Sequence, residues 1–136
     1  MVVALLSYQM VGRQLYVGTN KEYHSIKKAI EQSTNGDSIV VFDGIYKEGN
    51  IIIDKSISLI GKNLPILDGQ KKYEVVSIKA NYVLFKGFKI QHSGYATLND
   101  PGGIKIYDSH HVSICNNVLD DNFFGIYLQY SKNCII

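Results

Sequence analysis

One internal self-match constrains this chain more than any other feature. Residues 103–114 (GIKIYDSHHVSI) align without a gap on residues 125–136 (GIYLQYSKNCII), at a constant offset of 22. Gly103 falls on Gly125, Ile104 on Ile126, Ile106 on Leu128, Ser109 on Ser131, Val112 on Cys134 and Ile114 on Ile136. Earlier stretches join the pattern. Val83–Phe85 with Phe88 and Ile90 matches Val112–Ile114 with Asn117 and Leu119 at an offset of 29, and Ile57–Leu59 precedes Val83–Phe85 by 26. The loop from Tyr95 to Pro101 accounts for one long spacing. From residue 38 onward nearly everything reads as strands of three to five residues between Gly, Asn, Asp or Ser turns, a spacing open to a sandwich, a barrel or a solenoid. A repeat of 22 to 29 residues with three short strands favours the solenoid.

The reading is all-β, a right-handed single-stranded parallel β-helix of the pectin-lyase-like kind. One coil cannot bury its inward side chains, whereas coils stacked about 4.8 Å apart share one apolar column. Alternation fits: Ile104 and Ile106, Val112 and Ile114, Ile126 and Leu128 point in, while Lys105, Ser113 and Tyr127 point out. Asn116 and Asn117 suit a corner, because Asn tolerates left-handed backbone and bonds its own turn. The leucine and asparagine spacing of a leucine-rich repeat is absent.

Before the strands lies a helix over Tyr23–Gln32, with Tyr23, Ile26, Ala29 and Ile30 on one face. Asn35-Gly36-Asp37 stops it, with Gly36 suited to a left-handed cap. Laid across the first coil, this α-helix closes an otherwise open core and free strand edges. The sequence ends in mid-strand at Ile136, so the chain is expected to be the N-terminal part of a longer solenoid, truncated at its C-terminus. Residues 1–14 read either as the remnant of a signal peptide or as a frayed N-terminus or first strand. Met1–Gln9 is apolar but carries no basic leading region. Residues 15–136 read as the cap and first coils.

Composition excludes several classes. With 14 Lys and Arg against 12 Asp and Glu, the net charge of +2 leaves no nucleic-acid footprint. Two cysteines cannot make a disulfide-stapled scaffold. No apolar run is long enough to span a bilayer.

The order of helix, NGDSIVV, DGIYKE, IIIDKSISLIG, PILDG, GFKI and FFGIYLQYSKNC resembles the N-terminal region of NosD, a family of periplasmic nitrous oxide reductase maturation proteins within the β-helical carbohydrate-binding-and-hydrolase-like group. The resemblance covers residues 15–136. The part through LDG is shared by many β-helix proteins, and Phe123–Leu128 with Ser131–Cys134 is more telling. It implies export to the periplasm and a scaffold acting with an ABC-type transporter in assembling the copper site of nitrous oxide reductase. It does not of itself place a copper site in this chain.

The competing class is a carbohydrate-active β-helix: a polysaccharide lyase, hydrolase or epimerase, or a sugar-binding surface repeat. A third reading is an adhesin-like surface repeat with no small ligand. A lyase-like site needs acidic residues for calcium and a basic Arg on neighbouring coils. The single arginine, Arg13, precedes the helix. Asp120-Asp121 is the only adjacent acidic pair, and it reads as a turn between coils. No catalytic, cofactor or metal residue is therefore assigned. His92, His110, His111 and His24 are the metal candidates. Adjacent His110 and His111 are expected to diverge as solvated turn residues. Met1 and Met10 give a weak copper(I) signal. Cys134 should be a stacked core thiol and Cys115 should face outward, so both are expected free. Tyr82, Tyr95, Tyr107, Tyr127 and Tyr130 are candidates for a sugar-binding face, although Tyr107 and Tyr127 do not share a register.

Overall fold

The computed structural model describes residues 12–95 and 98–136. The apolar stretch Met1–Gln9 and the residue Met10 lie outside the described residues. The elements run β1 (Gln14–Val17), α1 (Ile26–Gln32), β2 (Ser38–Val41), β3 (Ile45–Tyr46), β4 (Ile51–Ile53), β5 (Ser58–Gly61), β6 (Ile66–Asp68) and β7 (Val76–Ile78). They continue with β8 (Leu84–Lys86), β9 (Lys89–Gln91), β10 (Gly102–Tyr107), β11 (Ser113–Cys115), β12 (Val118–Asp120) and β13 (Phe124–Gln129).

These strands form three sheets, ordered β1-β2-β5-β8-β11, β3-β6-β9-β12 and β4-β7-β10-β13. All pairings are parallel. Each pass of the chain visits the first, second and third sheet in turn, which makes a parallel β-solenoid. The repeat offsets are its registers. Ile104 pairs with Ile126 and Ile106 with Leu128, Phe85 with Ile114, and Leu59 with Phe85.

The inward residues make the apolar column. On the first sheet Ile39, Leu59 and Phe85 stack and are fully buried. On the second sheet Leu67 and Ile90 do the same. On the third, Ile53, Ile78 and Ile106 are all fully buried. The rings of Phe85 and Phe88 stack at 4.7 Å inside the column. Ile126 and Cys134 pack against it partly buried, and Leu128 is exposed.

The corners are built from left-handed backbone. Gly87, at φ 88°, and Asn116, at φ 56°, occupy the same corner of successive coils, and the Gly87 N–H donates to Asn116 O. A side chain on neighbouring Gly61 would collide with the Gly87 carbonyl, so that position needs glycine. Asn117 does not bond its own turn. It clamps the preceding coil, accepting from Phe88 N at 3.0 Å and donating to Phe85 O at 3.2 Å. Asn122 repeats this at the next corner, on Ser93 N and Ile90 O. Backbone groups that a corner would orphan are thereby satisfied.

The helix is shorter than the periodicity predicts. It starts at Ile26 because Ser25 is its N-cap, and Tyr23 instead bridges to Val17 as strand. It ends at Ser33, whose N–H returns to Ile30 O, and Gly36 sits beyond it in the turn closed by Thr34 and Asp37. Ile26, Ala29 and Ile30 are buried, and α1 packs on β1, β2 and β4, so it covers the first coil as expected. Two charged side chains from that coil hold its ends. Glu48 accepts from Ser25 Oγ, Ile26 N and Lys27 N at 2.7–3.0 Å. Lys55 Nζ donates to the carbonyls of Ile30, Glu31 and Ser33 at 2.7–3.0 Å. Each charge opposes the helix dipole at the end it meets.

Among the described residues no helix is long and apolar enough to cross a membrane.

A polar groove on the third sheet

Period-two alternation sends every second residue of β4, β7, β10 and β13 to the outer face. Register then stacks Ile52, Ser77, Lys105 and Tyr127 in one outward row. Tyr107 and Gln129 pair two residues further along. Lys105, Tyr107, Tyr127 and Gln129 floor a groove of about 850 Å³. One wall is the segment from Lys71 to Glu74, and the other carries Gly94, Tyr95 and Leu98–Pro101.

A hydrogen-bonded network fixes the floor. Tyr107 Oη donates to the Glu74 carboxylate at 3.0 Å. Ser77 Oγ donates to the same carboxylate. Asn50 Nδ2 donates to Ser77 Oγ at 2.8 Å and to Glu74 O at 3.0 Å. Burial, reinforced by the hydrogen bond to Glu74 and by its negative charge, pushes the Tyr107 phenol up to about 12. Tyr107 is therefore a neutral donor across the physiological range.

Lys105 is the outlier of the outward row. The alternation places it facing solvent, yet it is only 6% exposed, because the groove walls cover it. Its Nζ lies 4.9 Å from the Tyr107 ring centroid and 4.8 Å from that of Tyr127. Lys79 Nζ sits 5.0 Å from the Tyr107 ring as well.

The structure disperses the other candidate residues. Tyr95, Tyr107 and Tyr127 line the groove, but Tyr82 and Tyr130 do not. Tyr82 stacks on His111 with ring centroids 4.9 Å apart and meets His110 edge-on at 5.4 Å. His110 and His111 converge rather than diverge, with their Nδ1 atoms 2.8 Å apart. The cause is the left-handed backbone of His111, which turns its ring back over its neighbour. Asp120 and Asp121 do separate: Asp120 meets Lys89, and Asp121 meets Lys71 and approaches His92 Nε2. Asp68 faces His92 Nδ1 at 3.1 Å. Burial alone would raise the Asp68 carboxyl, but hydrogen bonds from Gln91, Gln70 N–H and His92 outweigh it and hold the group below its ordinary value. His24 is on the loop before α1, beside Asp43–Tyr46. Cys115 and Cys134 are both free and half-buried. No group of three or more His, Cys, Asp or Glu side chains suited to a metal ion occurs among the described residues.

Sequence reasoning missed Glu74, Asn50 and Lys105. Glu74 and Asn50 sit in turns without a motif. Lys105 was legible as outward-facing, but its burial depends on walls contributed by distant loops.

No known family profile matches the chain, and no solved structure matches it. It is 29% identical over 117 residues to a cell surface glycoprotein of Methanothermus fervidus, a match covering 84% of this chain. The chain spans 18% of that protein's length.

Proposed function

We propose that the chain is a non-catalytic scaffold segment of an exported, surface-exposed β-solenoid protein. The observation that carries this reading is the unbroken parallel stacking of all three sheets on one dry column. That construction yields a stiff body whose flat outer faces can present a binding surface. Similarity to a cell surface glycoprotein supports placement outside the cytoplasm. The carbohydrate-active alternative gains no acid–base pair from Asp120 and Asp121, which are engaged in separate ion pairs. External protease on intact cells tests the placement. The expected result is cleavage of the protein before lysis; protection until lysis would overturn it.

A narrower version is a periplasmic accessory role in copper-site assembly of nitrous oxide reductase, with an ABC-type transporter as partner. It is supported by the resemblance over residues 15–136, in which residues 123–128 and 131–134 are the more telling part. Its test is the copper content of the reductase in a strain lacking this protein, and full copper loading there would remove it.

A further inference from the structure

We infer that His110 and His111 together bind one divalent transition-metal ion of square-planar or octahedral habit, such as nickel(II). The site lies at the corner between β10 and β11, and it rests on neither the scaffold nor the accessory reading.

Adjacent side chains tend to point apart, so two rings turned onto one another are the observation to explain. The Nδ1 atoms of His110 and His111 are 2.8 Å apart. Metal–imidazole bonds are about 2.0–2.1 Å long. Two such bonds to atoms at this spacing enclose an angle of about 85–90°. That is the angle between adjacent ligands of a square-planar or octahedral ion, whereas a tetrahedral zinc site would hold the two nitrogens about 3.3–3.4 Å apart. Without metal, one Nδ1 donates its proton to the other. With metal, both rings carry their proton on Nε2. A change of tautomer in one ring therefore supplies the second lone pair, and no net proton is lost.

The pair is held from both sides. Tyr82, on the preceding coil, stacks on the His111 ring and meets the His110 ring edge-on. His110 N–H donates to Asn81 Oδ1 at 2.9 Å, and His110 O accepts from Tyr82 N–H at 3.2 Å. On the following coil, Lys132 O accepts from His111 N–H, and Lys132 N–H donates to Ser109 O. Donor atoms fixed before an ion arrives lose little freedom on binding it. His110 is half-buried and His111 exposed, so an ion reaches them from solvent. Asp108 and Lys132 are the charged side chains lining the recess beside His110, and their charges offset one another. Two ligands leave the other positions of the ion to water, which an exposed corner supplies.

The test is calorimetric titration of the untagged full chain with nickel(II) chloride and, separately, zinc(II) chloride, followed by amide NMR of the nickel-loaded protein. The expected result is saturable nickel binding, tighter than zinc binding, with paramagnetic broadening centred on His110, His111 and Tyr82. His111→Asn should weaken nickel binding at least about tenfold, through loss of one of the two ligand bonds. Asparagine suits this backbone, since Asn133 adopts the same φ of 55° at the equivalent position one coil on. The broadening is read on the unaltered protein, so it decides the matter even if the variant fails to fold. No saturable nickel binding at millimolar concentration would overturn the inference, as would unchanged nickel binding in a folded His111→Asn. Zinc binding as tightly as nickel, or broadening centred on His24 or His92, would overturn it as well.

Discussion

Tyr107 illustrates how one residue here serves two surfaces. Its backbone belongs to the longest strands of the third sheet, while its phenol is tied to Glu74 in the groove. A phenol pushed up to about 12 from 10.0 has a definite titration signature. The folded value lies above the unfolded one, so the associated stability is intact below about pH 10 and is lost as pH rises toward 12. Ultraviolet titration of phenolate absorbance should show a late-ionising component from Tyr107, with Tyr46, whose phenol burial and the nearby Glu48 and Asp43 also raise, contributing on the same side. Glu74→Gln should bring Tyr107 back toward 10, because the carboxylate's charge and acceptor strength are both reduced. An unchanged late titration in Glu74→Gln would show that burial alone causes the shift. Not every such residue was readable from sequence. The inward positions Ile104, Ile106 and Val112 were, because apolar alternation at a fixed offset leaves them one place to go. Glu74 was not, because its role comes from a turn brought beside Tyr107 and Ser77 only by the stacking of separate coils.

At the level of elements, α1 is too short to be stable by propensity. It persists because three apolar residues cover the first coil and because Glu48 and Lys55 engage its ends. Glu48→Gln should destabilise this end by about 0.5–2 kcal/mol, in the range of a lost helix cap. Hydrogen exchange is the discriminating measurement. Amides of Ile26 and Lys27 should exchange faster in the variant, with those of β8 and β11 little changed. Equal acceleration throughout the chain would mean that the cap and coils open as one unit. The position of this helix was legible from the periodicity, but its boundary was not. Tyr23 carries the right spacing yet is drawn into a bridge with Val17, and Ser25 supplies the cap that places the true start at Ile26. Asn116 was readable as a corner because its left-handed backbone is a local preference. The work of Asn117 was not, since it bonds a different coil.

For the whole molecule, the carboxylates that join distant parts set the acid limit. Asp37 is buried, which alone would raise its carboxyl. Hydrogen bonds from Thr34 N–H and Arg13 N–H, together with the Arg13 guanidinium, hold it below 3.8 instead. Asp68 is lowered likewise at the other side of the column. A carboxylate lowered in the folded state stabilises it fully above the unfolded value, and that stability is lost as pH falls through the folded value. Thermal midpoints should therefore be flat from neutral pH down to about 5 and fall below about 4. Asp37→Asn should lower the neutral midpoint and flatten the acid decline. Loss of the decline in neither Asp37→Asn nor Asp68→Asn would place the acid-sensitive contacts elsewhere. The parallel sheets were legible as a class because the self-match at an offset of 22 admits no gap. The groove was not, because it depends on loops whose lengths differ from coil to coil. Those differences fall at set places: the registers hold at every strand pair while the segments between β6 and β7 and between β9 and β10 take up the extra length. Such a body can grow by duplicating a whole winding or by lengthening one outward excursion, and gene duplication with drift in those excursions would diversify what it recognises without rebuilding what holds it up.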